Sequence, residues 1–205
     1  KSMKNKTLAF LAILSGSMLL FHACNGQPMV ELQVNDAEKK VNVTIAGKLF
    51  TAYIYPDNIK KPVLWPVISP GGNMLTRSFP LIEKEGDRVD HPHHVGIWLN
   101  YGDVNGLDFW NNSDARTPEN RDRYGTIYHR SIEKTKSGKG AAVLETSAVW
   151  KAPDQTKMLE EQTSIKFSVK EDLRIIDRTT TLKALIEKVN FTDNKEGMFA
   201  IRVAR

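Results

Sequence analysis

The densest group of residues that could do chemistry begins at Asp90-His91-Pro92-His93-His94. This run holds three of the five histidines of the chain within four positions. Imidazole titrates near neutral pH, so histidine serves both as an acid–base group and as a metal ligand. A neighbouring carboxylate can orient the imidazole ring or join it on a metal. This stretch is therefore the candidate catalytic site of the chain.

The proline between the first two histidines limits how the backbone can present them. Pro92 lacks an N–H group and disfavours helical conformation at His91. We therefore predict a strand-entry segment, on which His91 and His93 leave one face and His94 leaves the opposite face. Such a strand end would present a paired-imidazole site.

Three interpretations of the cluster stay open at this stage. One histidine could act as an acid–base group, with Asp90 or Asp108 orienting it. Alternatively, His91 and His93 with one carboxylate could bind a divalent metal such as iron, zinc or manganese. In the third interpretation, the histidines only hydrogen-bond within their loop and the nearby tryptophans belong to the core.

Further polar and aromatic residues near the histidines are candidates for substrate binding. The side chains of Trp98 and Trp110 are suited to stacking on a sugar ring. The guanidinium of Arg77 could bind a carboxylate or a hydroxyl group. An arginine near a turn, however, is more often solvated or paired with an aspartate. The candidate substrate-binding residues are Arg77, Trp98, Asp103, Asn105 and Trp110.

The histidine-rich stretch resembles the signature of the PmoA family, a group of bacterial proteins labelled methane oxygenase. The similar motifs are Asp-His-Pro-His-His, the following Gly-Ile-Trp, and Gly-Asp-Val-Asn-Gly-Leu-Asp-Phe-Trp at 102–110. Lead-in motifs at 62–66, 69–72, 76–77 and 80, and the terminal motif at 195–205, are similar as well. The resemblance implies a longer protein, so we expect a strand near residues 199–203 to lie at an exposed edge. It also implies that part of the usual site is absent.

The first residues have the pattern of a bacterial export signal. Lysines at positions 1, 4 and 6 precede an apolar run over 8–21, and Cys24 follows a small residue. A basic region followed by a short apolar region is typical of a signal peptide. We predict a lipoprotein signal over 1–23, lipid on Cys24 and a linker over 24–28, with a plain signal peptide as the alternative. A lipid would tether the exported protein to a membrane surface without spanning the membrane, as the chain's only membrane contact.

Composition narrows the remaining possibilities. The chain has 205 residues, 40% hydrophobic and 26% charged, which suits a single domain over 29–205. The net charge is +5, and three of the lysines lie in the predicted signal. The remainder of the chain carries 26 basic and 24 acidic side chains. The sequence has no basic cluster with interleaved aromatic residues, so it does not predict nucleic-acid binding. After the signal, no apolar run has the length needed to cross a bilayer, which excludes a membrane-embedded methane-oxidising enzyme.

Alternating patterns predict an all-β fold. Period-two alternation marks segments over 29–34, 41–45, 50–55, 63–68, 126–132, 141–150, 160–169 and 173–185. Short polar turns between them indicate an antiparallel β-sandwich, similar at the level of fold to the large sandwiches of galactose-mutarotase-like proteins. Two irregular segments, 73–93 and 111–124, are predicted to be loops at one end of the sandwich.

These observations lead to one preferred function and two alternatives. The preferred function is an exported carbohydrate-processing enzyme with a His/Asp acid–base site and a sugar as its small-molecule substrate. The alternatives are a mononuclear metal-dependent enzyme with His91 and His93 as ligands, and a non-catalytic carbohydrate-binding protein.

Overall fold

Two antiparallel β-sheets packed face to face form the fold in a computed structural model, which describes residues 26–205. The strands are β1 (Met29–Asn35), β2 (Lys40–Ile45), β3 (Lys48–Ile54), β4 (Val63–Val67), β5 (Ile97–Leu99), β6 (Thr126–Lys136), β7 (Gly138–Lys139), β8 (Ala141–Lys151), β9 (Lys157–Lys170), β10 (Leu173–Ala184) and β11 (Phe199–Ile201). One 3-10 helix spans Pro118–Arg123. The predicted antiparallel β-sandwich is confirmed.

The larger sheet has seven strands in the order β11-β5-β4-β3-β2-β1-β7, and the smaller has four in the order β10-β9-β8-β6. Every strand pair is antiparallel. All eight segments that alternation predicted contain strands. Among the described residues, no helix is long and apolar enough to span a membrane.

The main core lies between the two sheets. On β2, Val41, Val43 and Ile45 are buried while the intervening side chains are partly exposed, so every second residue faces the smaller sheet. Ile165 and Phe167 of β9 meet them from the other side and are fully buried. This alternation is the physical reason that the sequence pattern identified the strands.

The outer face of the larger sheet carries a second apolar cluster, and this cluster positions the histidines. Ala52 and Ile54 of β3, Val63 of β4 and Trp98 of β5 form its floor. Val95, just before β5, and Trp110, after it, belong to the same cluster and cover this floor. The histidine segment therefore lies over a sheet that is buried on both faces here.

Among the strands of residues 26–205, β11 forms the outer edge of the larger sheet and is paired with β5. Phe199 and Ile201 are 55% and 48% exposed, as the expected edge strand would be. The two three-residue strands β5 and β11 are not among the eight segments that alternation predicted.

A glycine at position 96 allows the backbone to bend sharply just before β5. Its φ is 58°, and a Cβ there would lie 2.1 Å from the carbonyl oxygen of Leu64. Left-handed conformation and close backbone approach both favour glycine. The chain enters β5 against β4 because this residue has no side chain.

Replacing Gly96 by alanine is expected to lower the free energy of unfolding by about 1–3 kcal/mol, the usual cost of a strained backbone position. Gly72→Ala is the matched control, because Gly72 also has a positive φ of 85° but a Cβ added there would have no heavy atom within 4 Å. Urea unfolding should show a larger loss for Gly96→Ala than for Gly72→Ala. Equal losses would mean that the contact with Leu64 has no energetic consequence.

Candidate functional site

The histidine segment forms a tight turn above the sheet. The backbone N–H of His94 donates a hydrogen bond to the carbonyl of His91 at 2.9 Å. His91 has a φ of 46°, which is uncommon for a residue with a side chain. The predicted strand-entry conformation is therefore wrong, because the turn brings all three rings together and does not send His94 to the opposite face.

The rings of this turn stack in a column that runs from the surface into the core. The imidazoles of His91 and His94 are parallel, with centroids 4.9 Å apart and planes 10° apart. His94 in turn stacks on Trp98 at 5.1 Å, and His93 meets His94 edge-on at 4.3 Å. The His91 side chain is 54% exposed, whereas Trp98 is 2% exposed. Solvent reaches the column through His91.

Asp90 and His91 form a carboxylate–imidazole pair. The Nδ1 atom of His91 lies 3.0 Å from Oδ2 of Asp90. Oδ1 of Asp90 accepts hydrogen bonds from the guanidinium groups of Arg77 at 2.7 Å and Arg202 at 2.6 Å. An ionised carboxylate only accepts hydrogen bonds, so Nδ1 of His91 carries the hydrogen, and in the neutral imidazole Nε2 is the acceptor.

The pKa of Asp90 supports this arrangement. Burial by itself would raise it, but the hydrogen bond from His91 and the charge of Arg202, with smaller contributions from Arg77, lower the pKa of Asp90 to about 2. The carboxylate therefore stays ionised at every pH at which a histidine titrates. The predicted orienting role of Asp90 has the geometry that it requires.

Arg77 fixes the conformation of the turn. Its guanidinium donates to the carbonyls of Arg88, Asp90, His91 and His94 at 2.8–3.1 Å, in addition to the Asp90 carboxylate. The residue is 3% exposed. The prediction that Arg77 binds substrate is therefore wrong, because the two terminal nitrogens of its guanidinium already donate to four backbone carbonyls.

His93 and His94 lie behind the pair and are neutral at neutral pH. Burial, followed by the charges of His94 and Lys61, lowers the pKa of His93 to about 3. Burial and the charge of His91 lower the pKa of His94 to about 4. Among the described residues, neither ring nitrogen of the 5%-exposed His93 has a hydrogen-bond partner, nor does Nε2 of His94.

The tryptophans do not have the predicted role in substrate stacking. Trp98 and Trp110 are 2% and 5% exposed, and their rings lie 5.3 Å apart within the outer apolar cluster. Trp110 also meets the edge of His94 at 5.9 Å. Both rings support the histidine column from below and present no free face to a ligand.

Asp108 belongs to a turn of its own. Oδ1 accepts the backbone N–H groups of Trp110 and Asn111, and Oδ2 accepts the side-chain amide of Asn111. Its hydrogen bonds within the described part of the chain therefore shape a loop, and do not orient a histidine as predicted.

The other two candidate binding residues also shape loops. Asp103 accepts the N–H of Gly106, while the Asn105 side chain donates to the carbonyl of Lys188 and accepts the N–H of Asn190. These bonds attach the 103–106 turn to the segment before β11. Neither side chain contacts the histidines through these bonds, so their predicted role in substrate binding has no support.

Lys61, a residue that the sequence did not single out, lies beneath the histidine turn. Its Nζ donates to the carbonyl of His93 at 2.7 Å and lies 5.4 Å from the centroid of the Trp98 ring. Burial, partly offset by the negative charge of Asp108, lowers the pKa of Lys61 to about 7. In the sequence, a lysine between another lysine and a proline has the appearance of a solvated charge.

A cavity of about 570 Å³ opens on the other side of Lys61. Aromatic side chains line part of it, and His129 stacks on Tyr55 there with ring centroids 3.9 Å apart. Its other lining residues include Lys61, Asn112, Ser113, Tyr124 and Tyr128. None of the three clustered histidines lines this cavity, so the cavity and the Asp90–His91 pair are separate features.

The two long loops approach each other at this end of the sandwich. Arg116 of the second loop lies close enough to His93 for its charge to contribute to the lowered pKa of that histidine. Lys60, just before β4, forms an ion pair with Asp114 at 2.5 Å. This agrees with the prediction that segments 73–93 and 111–124 share an end.

The sequence was compared with models of known protein families, and one model matches residues 40–205, most of the chain. The chain belongs to the family of unknown function DUF6807. The matched region includes every residue of the histidine turn. Neither a search of curated proteins nor a search of solved structures found a match.

The metal alternative has no ligand set in the described part of this DUF6807 chain. Within residues 26–205, no group of three or more histidine, cysteine, aspartate or glutamate side chains is arranged to hold a metal ion. A mononuclear site needs at least three protein ligands. The ring centroids of His91 and His93 are 5.6 Å apart, and no such group of three includes them within the described residues.

Acidification is expected to destabilise the protein between about pH 6.5 and pH 3. His93, with a folded pKa of about 3, and His94 and His129, with folded pKa values of about 4, bind protons more readily when unfolded. The unfolded state gains protons first as the pH falls, so the free energy of unfolding decreases through this range. Urea unfolding at several pH values measures it.

The variant His93→Phe provides the control. It should unfold with a weaker pH dependence than the parent, because one of the three histidines with a lowered pKa is gone. A parent midpoint that does not change between neutral and acidic buffer would contradict the burial of these rings.

Proposed function

We propose that this DUF6807 chain is an enzyme that transfers a proton to or from a carbohydrate, with His91 as the acid–base group. The observation that carries the proposal is the Asp90–His91 pair. Its 3.0 Å contact fixes one ring nitrogen, and the half-exposed ring offers the other to a ligand. A carboxylate that orients an imidazole in this way is the recurrent arrangement of a general base.

The rigidity of the turn supports the same proposal. Arg77 binds four carbonyls of the segment from one buried position, and His91 is kept at a positive φ. Strained backbone that its surroundings maintain is frequent at active sites. Acid–base groups work best when their position is fixed before the substrate arrives.

The carbohydrate class rests on architecture. The strand pattern of the sequence resembles that of the large antiparallel sandwiches that handle sugars, which is an analogy of fold alone. Export and a lipid on Cys24 are part of the same proposal, and the residues that would carry them lie outside the described part of the chain. The same holds for kinship with the PmoA proteins, which rests on the sequence motifs.

A proton NMR experiment tests the function directly. The full chain is mixed in deuterated buffer with a panel of free aldoses and ketoses, and with simple glycosides. Anomerisation, deuterium incorporation and hydrolysis are followed against His91→Gln. We expect the parent to accelerate one of these reactions and the variant not to. Equal rates for parent and variant would reject His91 as the acid–base group.

A non-catalytic carbohydrate-binding protein is the second candidate, and the separate cavity favours it. Tyr55, Tyr124, Tyr128 and His129 line that cavity, and aromatic faces are common partners of sugar rings. Binding of a sugar that Tyr55→Ala weakens, with no turnover of any panel member by the parent, would favour this candidate over the enzyme.

A further inference from the structure

A stacked aromatic pair joins the two sheets at the cavity described above, the first cavity. Tyr55 follows β3 of the larger sheet, and His129 lies on β6, an outer strand of the smaller sheet. Their ring centroids are 3.9 Å apart, and the ring planes are inclined by 28°. Both side chains are only partly buried, so a ligand can reach the stack.

A second cavity shares this aromatic wall. Its volume is also about 570 Å³, within the range of small-molecule sites. Tyr55 and His129 line both cavities, and the two cavities share no other lining residue. The rest of the second cavity is formed by the end of β1, the turn after it, and β6. The two spaces therefore extend in different directions from the stack, and a ligand that passes over the stack would occupy both.

His129 offers one ring nitrogen to a ligand. Its Nδ1 lies 3.1 Å from the hydroxyl oxygen of Tyr53, which is 3% exposed. Burial raises the pKa of Tyr53, so the phenol keeps its hydrogen, and a buried hydroxyl normally donates it to a partner. Because Tyr53 donates to Nδ1, the neutral imidazole carries its own hydrogen on Nε2. Within residues 26–205, Nε2 makes no hydrogen bond and is not one of the buried unpartnered polar atoms, so it is an accessible donor.

Polar groups suited to sugar hydroxyls lie in both cavities. In the second cavity, Asp36 and Glu133 are exposed, and they are close enough to His129 for their charges to act on its ring. In the first cavity, Arg121 is exposed, and no ion pair within the described residues includes it. Carboxylates accept hydrogen bonds from hydroxyl groups, and a guanidinium donates hydrogen bonds to them. Aromatic walls with a few polar groups are typical of small-molecule sites, and aromatic faces suit sugar rings.

We propose that the two cavities form one cleft for a chain of at least two sugar units, which passes over the Tyr55–His129 stack. The Nε2–H group of His129 would donate a hydrogen bond to an oxygen of the chain where it crosses from one cavity to the other. This inference rests on the carbohydrate-binding candidate above, and it adds that the ligand is an oligosaccharide and not a single sugar. Neither Asp90 nor His91 lines either cavity.

Isothermal titration calorimetry on the full chain tests the length of the ligand. The probes are glucose, xylose, and cello-, malto- and xylo-oligosaccharides of increasing length. We expect at least one series to bind about tenfold or more tightly as the chain grows beyond one unit, since one added stacking or hydrogen-bond contact has an effect of that size. Equal affinity for a single sugar and its chains would overturn this inference and leave the carbohydrate-binding candidate intact. No binding of any probe would overturn both.

Two variants test the path over the stack. Asp36→Ala, in the second cavity, should weaken binding of the longest chain by about tenfold, the effect of losing a hydrogen bond to a charged group. Asp172→Ala is the matched control, because Asp172 is also exposed and lies in the turn between β9 and β10. This control should leave the affinity unchanged.

His129→Phe keeps an aromatic ring against Tyr55 but removes the Nε2–H donor. It should weaken binding of the same chain, and urea unfolding checks that the variant is folded. Because Asp36 is exposed, its test does not depend on how well His129→Phe folds. If either folded variant bound the chain as tightly as the parent does, the proposed path would be overturned.

Discussion

Replacing His91 by glutamine is expected to lower turnover of the converted sugar by about 10²–10⁴-fold, the usual contribution of a general acid or base. Glutamine keeps a polar side chain but cannot exchange a proton near neutral pH. The loss should appear in kcat, with KM little changed, because the ring moves a proton in the transition state and binds the ground state weakly.

Asp90→Asn tests whether the carboxylate acts through the ring. An asparagine amide could donate to Nδ1 of His91 and favour the wrong tautomer, so we expect a fall in kcat. The double variant with His91→Gln should be little slower than His91→Gln alone, since the two residues act as a unit. Asp172→Asn, in the exposed turn between β9 and β10, is the matched control and should turn over normally. Additive losses would show that Asp90 acts independently of His91.

The sequence was informative where the physical signal is local. Alternation along β2 or β9 reflects burial of every second side chain, so these strands could be found without knowledge of their partners. The three-residue strands β5 and β11 are too short to alternate. They exist because Val63 and Leu64 of β4 pair with β5, and β5 pairs with β11 about a hundred residues later.

The candidate site shows the same division. A carboxylate beside a histidine is a local feature, and the Asp90–His91 pair was predicted from it. Arg77 and Lys61 donate hydrogen bonds to backbone carbonyls that are 11 to 32 residues away in the sequence. No property of either side chain in the sequence identifies those partners. The sequence predicted an extended segment where residues 91–94 form a turn. Pro92 disfavours a helix but is compatible with both a turn and an extended segment, so it does not distinguish them.

Arg77 should have the largest effect on the stability of the histidine turn. Four carbonyls accept hydrogen bonds from its guanidinium, and the carbonyl of His91 also has a second donor, the N–H of His94. Arg77→Met would leave the carbonyls of Arg88, Asp90 and His94 without this donor. Each buried polar group that loses its partner costs about 1–3 kcal/mol.

Arg77→Met is therefore expected to lower the free energy of unfolding by about 3 kcal/mol or more, and to shift the backbone amide NMR signals of residues 88–96. Arg77→Lys should recover only part of the loss, because an ammonium group is a single point and cannot reach carbonyls on both sides as the planar guanidinium does. Arg88→Met is the matched control: its side chain is exposed, so the same loss of charge should change stability by no more than about 0.5 kcal/mol. If urea unfolding gave Arg77→Met and Arg88→Met the same small effect, the turn would owe its shape to the stacked rings of His91, His94 and Trp98 and not to the buried guanidinium.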